Sequence, residues 1–259
     1  MTSTTDTARP AAPPPTGAPL HFHHVTKTFP DGTRALDPVS FSVEPGEFVT
    51  VVGPSGCGKS TLLRIASGLE RPTSGRVDVD RSQIGYVFQD ATLLQWRTVR
   101  RNVELFAELE KMPKAQRTQR VAESLALVGL DGFESKYPKQ LSGGMRMRAS
   151  LARSLVMEPH LFLFDEPFGA LDEITRERLN DELLTLFQRK GFGSLFITHS
   201  IYEAVFLSTR VLVMSARPGR IVAAFDIPFG YPRSPDLRFD ADFAELSGQV
   251  SHALRGAHA

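Results

Sequence analysis

Residues 53–61 read GPSGCGKST, in which a glycine, four further residues and the triplet G-K-S stand at fixed spacing. An apolar run at 48–52 precedes this segment, and a helix-forming run at 61–66 follows it. In that context glycines let successive backbone N–H groups turn inward, and the helix adds the positive end of its dipole. The sequence therefore predicts a strand, a phosphate-binding loop and a helix in immediate succession, as α/β folds require.

Residues 53–61 match the nucleotide-binding loop pattern at every required position, and we call this loop the cradle. Lys59 is expected to reach the β- and γ-phosphates and to act in catalysis, and Ser60 is expected to ligate Mg²⁺. A glycine-rich turn that binds nothing is the alternative, although the flanking strand and helix count against it. The candidate cradle residues are Gly53, Pro54, Ser55, Gly56, Cys57, Gly58, Lys59, Ser60 and Thr61.

Composition bounds the class of protein. The 259 residues fit one nucleotide-binding domain, and 30 basic against 29 acidic residues give no global basic field for nucleic acid. The single cysteine, Cys57, excludes an internal disulfide framework; we interpret it as a small side chain filling the loop, with an oxidation-sensitive thiol as the alternative. No apolar run approaches the roughly 18 residues of a spanning helix, so a membrane role would require a partner.

The N-terminal segment, residues 1–19, is rich in Thr, Ala and Pro and lacks the basic start and apolar core of a signal peptide. We predict a disordered tail there. Immediately after it, His21, His23 and His24 raise the question of a metal site, but no cysteine or carboxylate cluster accompanies them.

Strand and helix patterns alternate along the rest of the chain. Short strand patterns before the cradle predict a β-rich layer. Helical periodicity without strand patterns from 90 to 159, clearest at 102–110 and 114–128, predicts a helical insertion. Strands then return with a helix between them, which is typical of a parallel sheet covered on both faces. From residue 221 a strand, a proline-marked linker and an amphipathic helix at 235–254 follow, either closing the domain or contacting a second subunit.

Two adjacent carboxylates end the apolar strand predicted at 161–164. In a nucleotide-hydrolysing sheet, Asp165 would hold Mg²⁺ and Glu166 would polarise the water that attacks the γ-phosphate. A solvated acidic turn is the alternative. The cradle elsewhere in the chain favours the catalytic interpretation.

Three further side chains stand at strand ends. His199 follows the strand predicted at 194–198 and would hold the γ-phosphate or the attacking water, although a histidine there can be purely structural. Gln89 follows another strand, and its amide would touch both the metal and the water. Phe29 precedes the cradle and could stack on an adenine ring or belong to the core.

Residues 141–145 read LSGGM at the start of a helical run. A serine N-cap followed by two glycines, Ser142, Gly143 and Gly144, is a second anion-binding arrangement, with an ordinary helix cap as the alternative. Together with the cradle, Gln89, Asp165-Glu166, the sequence GALD at 169–172 and His199, this segment resembles the motif set of ATP-binding cassette (ABC) ATPases over about residues 20–215.

The resemblance implies specific roles and an assembly. Phe29 would be the adenine-stacking aromatic, residues 142–144 the signature motif and Asp172 the aspartate of the loop that joins two subunits. Two copies would form a homodimer in which ATP lies between one cradle and the partner's signature. Met145 stands where glutamine is usual. The implied fold is a RecA-like P-loop core with its β layer at 20–89 and 160–215, a helical signature subdomain at 90–159 and a C-terminal segment at 216–259.

Finer features resemble the ATPase subunits of nitrate/sulfonate/taurine-type bacterial importers, namely LLQW at 93–96 and SARPGR at 215–220. Gln95 and Met147 depart from that group's usual proline and glutamine. The resemblance implies two integral-membrane permease subunits, an extracytoplasmic solute-binding protein, no nucleic acid, and a peripheral location at the cytoplasmic face of the inner membrane. Trp96 would meet the permease or pack in the helical core, and the neighbouring arginines, Arg97, Arg100 and Arg101, would meet acidic groups or form a solvated face.

Two other functions remain open from the sequence. A soluble ABC-type ATPase acting on nucleic acid or ribosomes would share the motifs, but such proteins usually carry a basic stripe. A regulatory cassette that binds ATP without hydrolysing it would have no chemical need for the complete set of Lys59, Gln89, Asp165, Glu166 and His199.

Overall fold

The computed structural model describes residues 19–257. The tail predicted at 1–19 lies outside this range apart from Pro19. Within residues 19–257, no helix combines the length and the apolar character needed to cross a bilayer.

A small antiparallel sheet precedes and flanks the cradle, as predicted. Its strand order is β2-β1-β4, and both pairings with β1 are antiparallel. The middle strand alternates buried and more exposed residues, because only one face packs against the rest of the protein. The bounds are Leu20–Thr28 for β1, Arg34–Val43 for β2 and Ser74–Val79 for β4.

A six-stranded sheet forms the centre of the protein. Its order is β5-β6-β7-β3-β8-β9, with parallel pairing throughout except for the antiparallel edge strand β9. The strands are β3 at Phe48–Val52, β5 at Ile84–Val87, β6 at Leu161–Asp165, β7 at Gly193–Thr198, β8 at Arg210–Met214 and β9 at Ile221–Asp226.

Continuous apolar runs in this sheet reflect burial on both faces. Along β6, Leu161 and Leu163 belong to the hydrophobic cluster shared with the small sheet, whereas Phe162 and Phe164 belong to the cluster shared with the helices. Successive side chains of a strand point to opposite faces, so each face has its own core. The predicted doubly covered parallel sheet is confirmed.

Helices cover the sheet. The chain between β5 and β6 contains helices and loops but no strand. The α-helices are α1 at Lys59–Ser67, α2 at Val99–Val103, α3 at Leu105–Leu109, α4 at Lys114–Leu127, α5 at Gly143–Leu155, α6 at Glu173–Lys190, α7 at Ile201–Leu207 and α8 at Ala241–Gly256.

Three local expectations needed correction. The helical periodicity near 102–110 belongs to two short helices, α2 and α3, separated at Glu104. The pattern at 235–254 divides into a 3₁₀ turn, Pro235–Phe239, and α8, because the Asp240 side chain accepts from the backbone of Asp242 and starts a new helix. Helix α7 was not predicted, since its residues are almost all buried and show no amphipathic period.

The C-terminal helix closes the domain. Phe243 and Val250 on α8 are fully buried in the helix-side cluster, and α8 packs against α7 and β8. In contrast, Trp96 is 75% exposed, so of the two alternatives left open by the sequence the structure does not support packing into a helical core. The arginines beside it are partly paired, with Arg97 2.7 Å from Glu108 and Arg101 within 4 Å of both Glu104 and Glu108.

Candidate nucleotide-binding site

A cleft of about 410 Å³ lies where the cradle meets the small sheet and the carboxyl edge of the large one. It brings together side chains that are far apart in the sequence, from the end of β1 to the residue after β6. Gly53, Pro54 and Cys57 of the cradle are not among the residues that line it. The sequence-predicted residues that line it are Phe29, Ser55, Gly56, Gly58, Lys59, Ser60, Thr61 and Glu166.

Glycine is required at two positions of the cradle. Gly58 has φ +108° at the N-cap of α1, and a Cβ there would lie 2.7 Å from Cδ2 of Leu36. No side chain caps this helix, so its first N–H groups are free to meet an anion. A Cβ on Gly53 would lie 2.9 Å from Sγ of Cys57. Burial of Cys57 raises the pKa of its thiol, which agrees with a space-filling role.

Lys59 places a buried positive charge beneath the cradle. Its Nζ donates to the carbonyl oxygens of Gly53 and Pro54, each at 2.8 Å. Sγ of Cys57 also lies 4.0 Å from Nζ, and within residues 19–257 no carboxylate forms an ion pair with Lys59, so its charge is not cancelled. A phosphate oxygen would supply the missing negative charge.

Ser60 and Asp165 converge beside the cradle. The Ser60 hydroxyl donates to Oδ1 of Asp165 at 2.9 Å, and Oη of Tyr86 lies 3.5 Å from Oδ2. Burial raises the pKa of Asp165, the Ser60 bond opposes this, and the adjacent charge of Glu166 adds to it. A divalent cation would favour the ionised carboxylate, and the hydroxyl and carboxylate oxygens are ligands that Mg²⁺ prefers. The donor set therefore fits Mg²⁺.

Glu166 and His199 form a pair at the mouth of the cleft. Nδ1 of His199 lies 3.1 Å from Oε2 of Glu166, and the imidazole donates because a carboxylate has no proton to give. Glu166 has a left-handed backbone, φ +45°, and its N–H donates to the carbonyl of Ile197 at 3.0 Å. This conformation is costly for a residue with a side chain, and here it turns the carboxylate away from the strand direction.

Gln89 stands at the same sheet edge but outside the cleft lining. The parallel register pairs Val87 with Phe164, which places Gln89 level with Glu166 on the neighbouring strand. Its side chain is exposed. The structure therefore brings Gln89 to the correct edge without bringing it into contact with the cradle.

The signature segment occupies a different surface. The Ser142 hydroxyl accepts from the backbone N–H of Met145 at 3.2 Å and caps α5, while Ser142 and Gly144 line a separate cavity of about 380 Å³. A Cβ on Gly143 would lie 3.0 Å from Cδ2 of Leu171, so the signature packs against the GALD loop. Within one chain, the two anion-binding arrangements do not form a single site.

Comparison with known families decides the class of protein. Residues 36–169 match the family model described as ABC transporter. The chain belongs to the ABC transporter family. It is an ABC-type ATPase.

Curated relatives of this ABC ATPase match it over nearly their whole length. An ABC transporter ATP-binding protein of Methanocaldococcus jannaschii is 44% identical over 246 residues, covering 91% of each chain. The aliphatic sulfonates import ATP-binding protein SsuB of Bacillus cereus is 43% identical over 241 residues, covering 90% of this chain and 92% of the relative.

Solved ABC structures share the fold. CbiO1 from Clostridium perfringens, part of the ABC transporter complex cbiONQ, superposes with a TM-score of 0.76 at 25% identity and covers 90% of this chain and 99% of its own. A dimeric ATP-binding cassette in a post-hydrolysis state, bound to ADP and Pi, gives 0.72 at 32% identity and covers 82% of this chain and 100% of its own.

Several side chains of the ABC ATPase site were missed in the sequence. Arg217 belongs to the SARPGR segment, which carried a subfamily signal but no predicted role, and Tyr86 was treated only as part of a strand. The others lie in the turn and strand after Phe29, where no motif marks them. The cleft residues not predicted are Asp31, Thr33, Ala35 and Arg217.

Proposed function

We propose that this chain is the ATP-hydrolysing subunit of a bacterial ABC importer that energises uptake of a small solute of the nitrate, sulfonate and taurine class. The observation that carries the hydrolytic role is the Glu166–His199 pair at 3.1 Å, in which Glu166 lines the same cleft as the cradle. The importer class is supported by the 43% identity to the aliphatic sulfonates import ATP-binding protein of Bacillus cereus.

In the proposed reaction, the cradle holds the β- and γ-phosphates of ATP, and Phe29 stacks on the adenine. Glu166 accepts a proton from the attacking water as its oxygen bonds to the γ-phosphorus. The bond from that phosphorus to the β–γ bridging oxygen breaks, giving ADP and phosphate. His199 orients Glu166, and Lys59 stabilises negative charge on the phosphate oxygens.

Ser60, Asp165 and Gln89 are proposed to hold Mg²⁺ with the nucleotide. When bound, this ion would neutralise charge on the phosphate oxygens during transfer. The raised pKa of Asp165 supports the assignment, because a cation relieves the cost of a partly buried carboxylate.

A homodimer is proposed because one chain separates its two anion-binding arrangements. Ser142, Gly143 and Gly144 lie on a cavity distinct from the cradle cleft, and Gly143 packs against the GALD loop. A head-to-tail partner would bring its own signature to this chain's cradle. The dimeric ATP-binding cassette bound to ADP and Pi supports this arrangement.

We further propose that the dimer works with two integral-membrane permease subunits and an extracytoplasmic solute-binding protein, peripherally at the cytoplasmic face of the inner membrane. Residues 20–89 and 160–215 would form the ATP-binding core, 90–159 the subdomain that meets the permease, and 216–259 the C-terminal closing segment. The exposed Trp96 supports the permease-facing role of residues 90–159. CbiO1 being part of a transporter complex supports the assembly.

Capture from detergent-solubilised membranes tests the transport role. Tagged Glu166→Gln protein with ATP is expected to co-purify a polytopic permease that mass spectrometry identifies, whereas the additional change Trp96→Ala should reduce its recovery. Recovery of only non-membrane protein or nucleic acid would contradict the importer proposal and favour the alternative, an ABC-type ATPase acting on nucleic acid or ribosomes. None of the relatives named above is described as acting on nucleic acid.

A further inference from the structure

The segment between β8 and β9 is fixed to both walls of the nucleotide cleft. Gly219 donates its N–H to the carbonyl of Ala35 at 2.9 Å, and its own carbonyl accepts from Asp37 at 3.0 Å. A Cβ on Gly219 would lie 2.1 Å from the carbonyl oxygen of Cys57. The backbone of this segment therefore passes directly against the cradle, where only glycine fits.

Arg217 extends from this segment to the cradle. Its Nε and Nη2 donate to the carbonyl oxygen of Gly56 at 3.0 and 2.9 Å, and the side chain lines the cleft that also contains Phe29. Within residues 19–257, no carboxylate lies within ion-pair distance of the Arg217 guanidinium. The Nε and Nη2 donors, on one edge of the guanidinium, therefore bind the same backbone oxygen.

Peptide geometry gives this contact a consequence for the cradle. In a trans peptide, the carbonyl of Gly56 and the N–H of Cys57 point in opposite directions. Holding the carbonyl on one side therefore directs the N–H to the other, where it lies 3.4 Å from the carbonyl oxygen of Pro54. The same oxygen accepts from Nζ of Lys59. The Cys57 N–H and the Lys59 ammonium therefore share one acceptor, the Pro54 carbonyl oxygen, on the side of the peptide opposite Arg217.

We propose that Arg217 is a positioning residue for the nucleotide. By holding the Gly56 carbonyl, it fixes the orientation of the Gly56–Cys57 peptide, and with it the backbone of the cradle that a bound nucleotide would meet. The inference rests on the proposed function only in requiring that the cradle bind nucleotide. Arg217 acts through the backbone of the cradle and takes no part in activating water.

Binding of ATP and ADP to the purified full-length chain, measured by calorimetry, tests the proposal. Arg217→Ala is expected to weaken both by about 3- to 20-fold, the range for a charge-assisted hydrogen bond partly exposed to water. The KM for ATP should rise while kcat stays near the wild-type value, because Glu166 is untouched. Arg220→Ala is the matched control, since Arg220 is exposed on the same segment and its side chain makes no hydrogen bond within the described residues.

Two conservative variants and salt separate positioning from charge. Arg217→Gln keeps a neutral donor for the Gly56 carbonyl and should recover part of the affinity, and Arg217→Lys should recover part of it with a single-point donor. The loss in Arg217→Ala should persist at about 1 M salt, where the Debye length is about 3 Å. A change below twofold, or a loss that disappears in salt, would overturn the proposal. Wild-type protein that binds no nucleotide would instead contradict the proposed function.

Discussion

Nδ1 of His199 lies 3.1 Å from Oε2 of Glu166, although 33 residues separate them in the chain. Each follows a strand of the parallel sheet, and those strands, β6 and β7, are neighbours. The pairing joins the carboxylate that would accept a proton to the one imidazole that lies at this edge of the described sheet. Hydrolysis is therefore expected to depend on both side chains, in different ways.

Replacement of His199 tests its role in orienting Glu166. His199→Ala is expected to lower kcat by up to about 10²- to 10⁴-fold, the usual size of a general-base contribution, because Glu166 would no longer be held in place; ATP affinity should be nearly unchanged. His199→Asn keeps an N–H close to the position of Nδ1 and should recover part of the rate. His252→Ala, on the exposed surface of α8, is the control. Equal rates in His199→Ala and wild type would remove His199 from the reaction.

Replacement of Phe29 tests adenine stacking. Phe29→Ala is expected to weaken ATP binding by about 2- to 12-fold, since an aromatic pair contributes about 0.5–1.5 kcal/mol beyond its buried area. Phe29→Tyr should bind like wild type. Tripolyphosphate carries no adenine, so its affinity should be the same in all three proteins. Weakened tripolyphosphate binding in Phe29→Ala would show that the side chain supports the cradle instead; Phe239→Ala, at a highly exposed phenylalanine, controls for general effects.

The raised pKa of Asp165 predicts a pH-dependent cost to stability. Burial, the largest cause, disfavours the ionised form, so stability present while Asp165 is protonated is lost as the pH rises through its folded-state pKa. Without Mg²⁺, Asp165→Asn should therefore raise Tm at about pH 7 and leave it nearly unchanged at about pH 3. The variant should also lose the stabilisation that Mg²⁺ and ATP give wild type.

Asp172 provides the opposite case in the same measurement. Hydrogen bonds from Thr175, with the backbone bond the largest cause, lower the pKa of Asp172, so its contribution is present above the unfolded-state pKa and lost as the pH falls through the folded-state value. Asp172→Ala should therefore lower Tm near neutral pH, and the difference should shrink in acid. Parallel pH profiles for the two variants would contradict both assignments.

The sequence predicted those features that depend on local chemistry. The cradle, the strand ending at Asp165 and the helix cap at Ser142 follow from residue spacing and periodicity, so their positions agree with the structure to within a few residues. Contacts across the chain follow no such rule. Arg217 and Gly56 are 161 residues apart, and nothing in either segment indicates that the other is its partner.

The solvent exposure of individual side chains could not be predicted from the sequence either. Trp96 is the single tryptophan of the chain, and large aromatic side chains are usually buried, so the pattern left core packing and a partner surface equally open. In the folded chain Trp96 is 75% exposed, which favours a partner surface. Helix α7 was missed for the opposite reason, because five of its seven residues are buried and the helix shows little of the polar–apolar periodicity that identifies a helix.

The central claim is ATP hydrolysis by Glu166 within a head-to-tail dimer, and sedimentation of Glu166→Gln protein with Mg²⁺ and ATP tests it most directly. We expect a stable dimer that dissociates when ATP is removed, with turnover reduced by about 10²-fold or more. Glu245→Gln, on exposed α8, should hydrolyse ATP and sediment like wild type. A Glu166→Gln protein that stays monomeric with ATP and hydrolyses it at the wild-type rate would contradict the account.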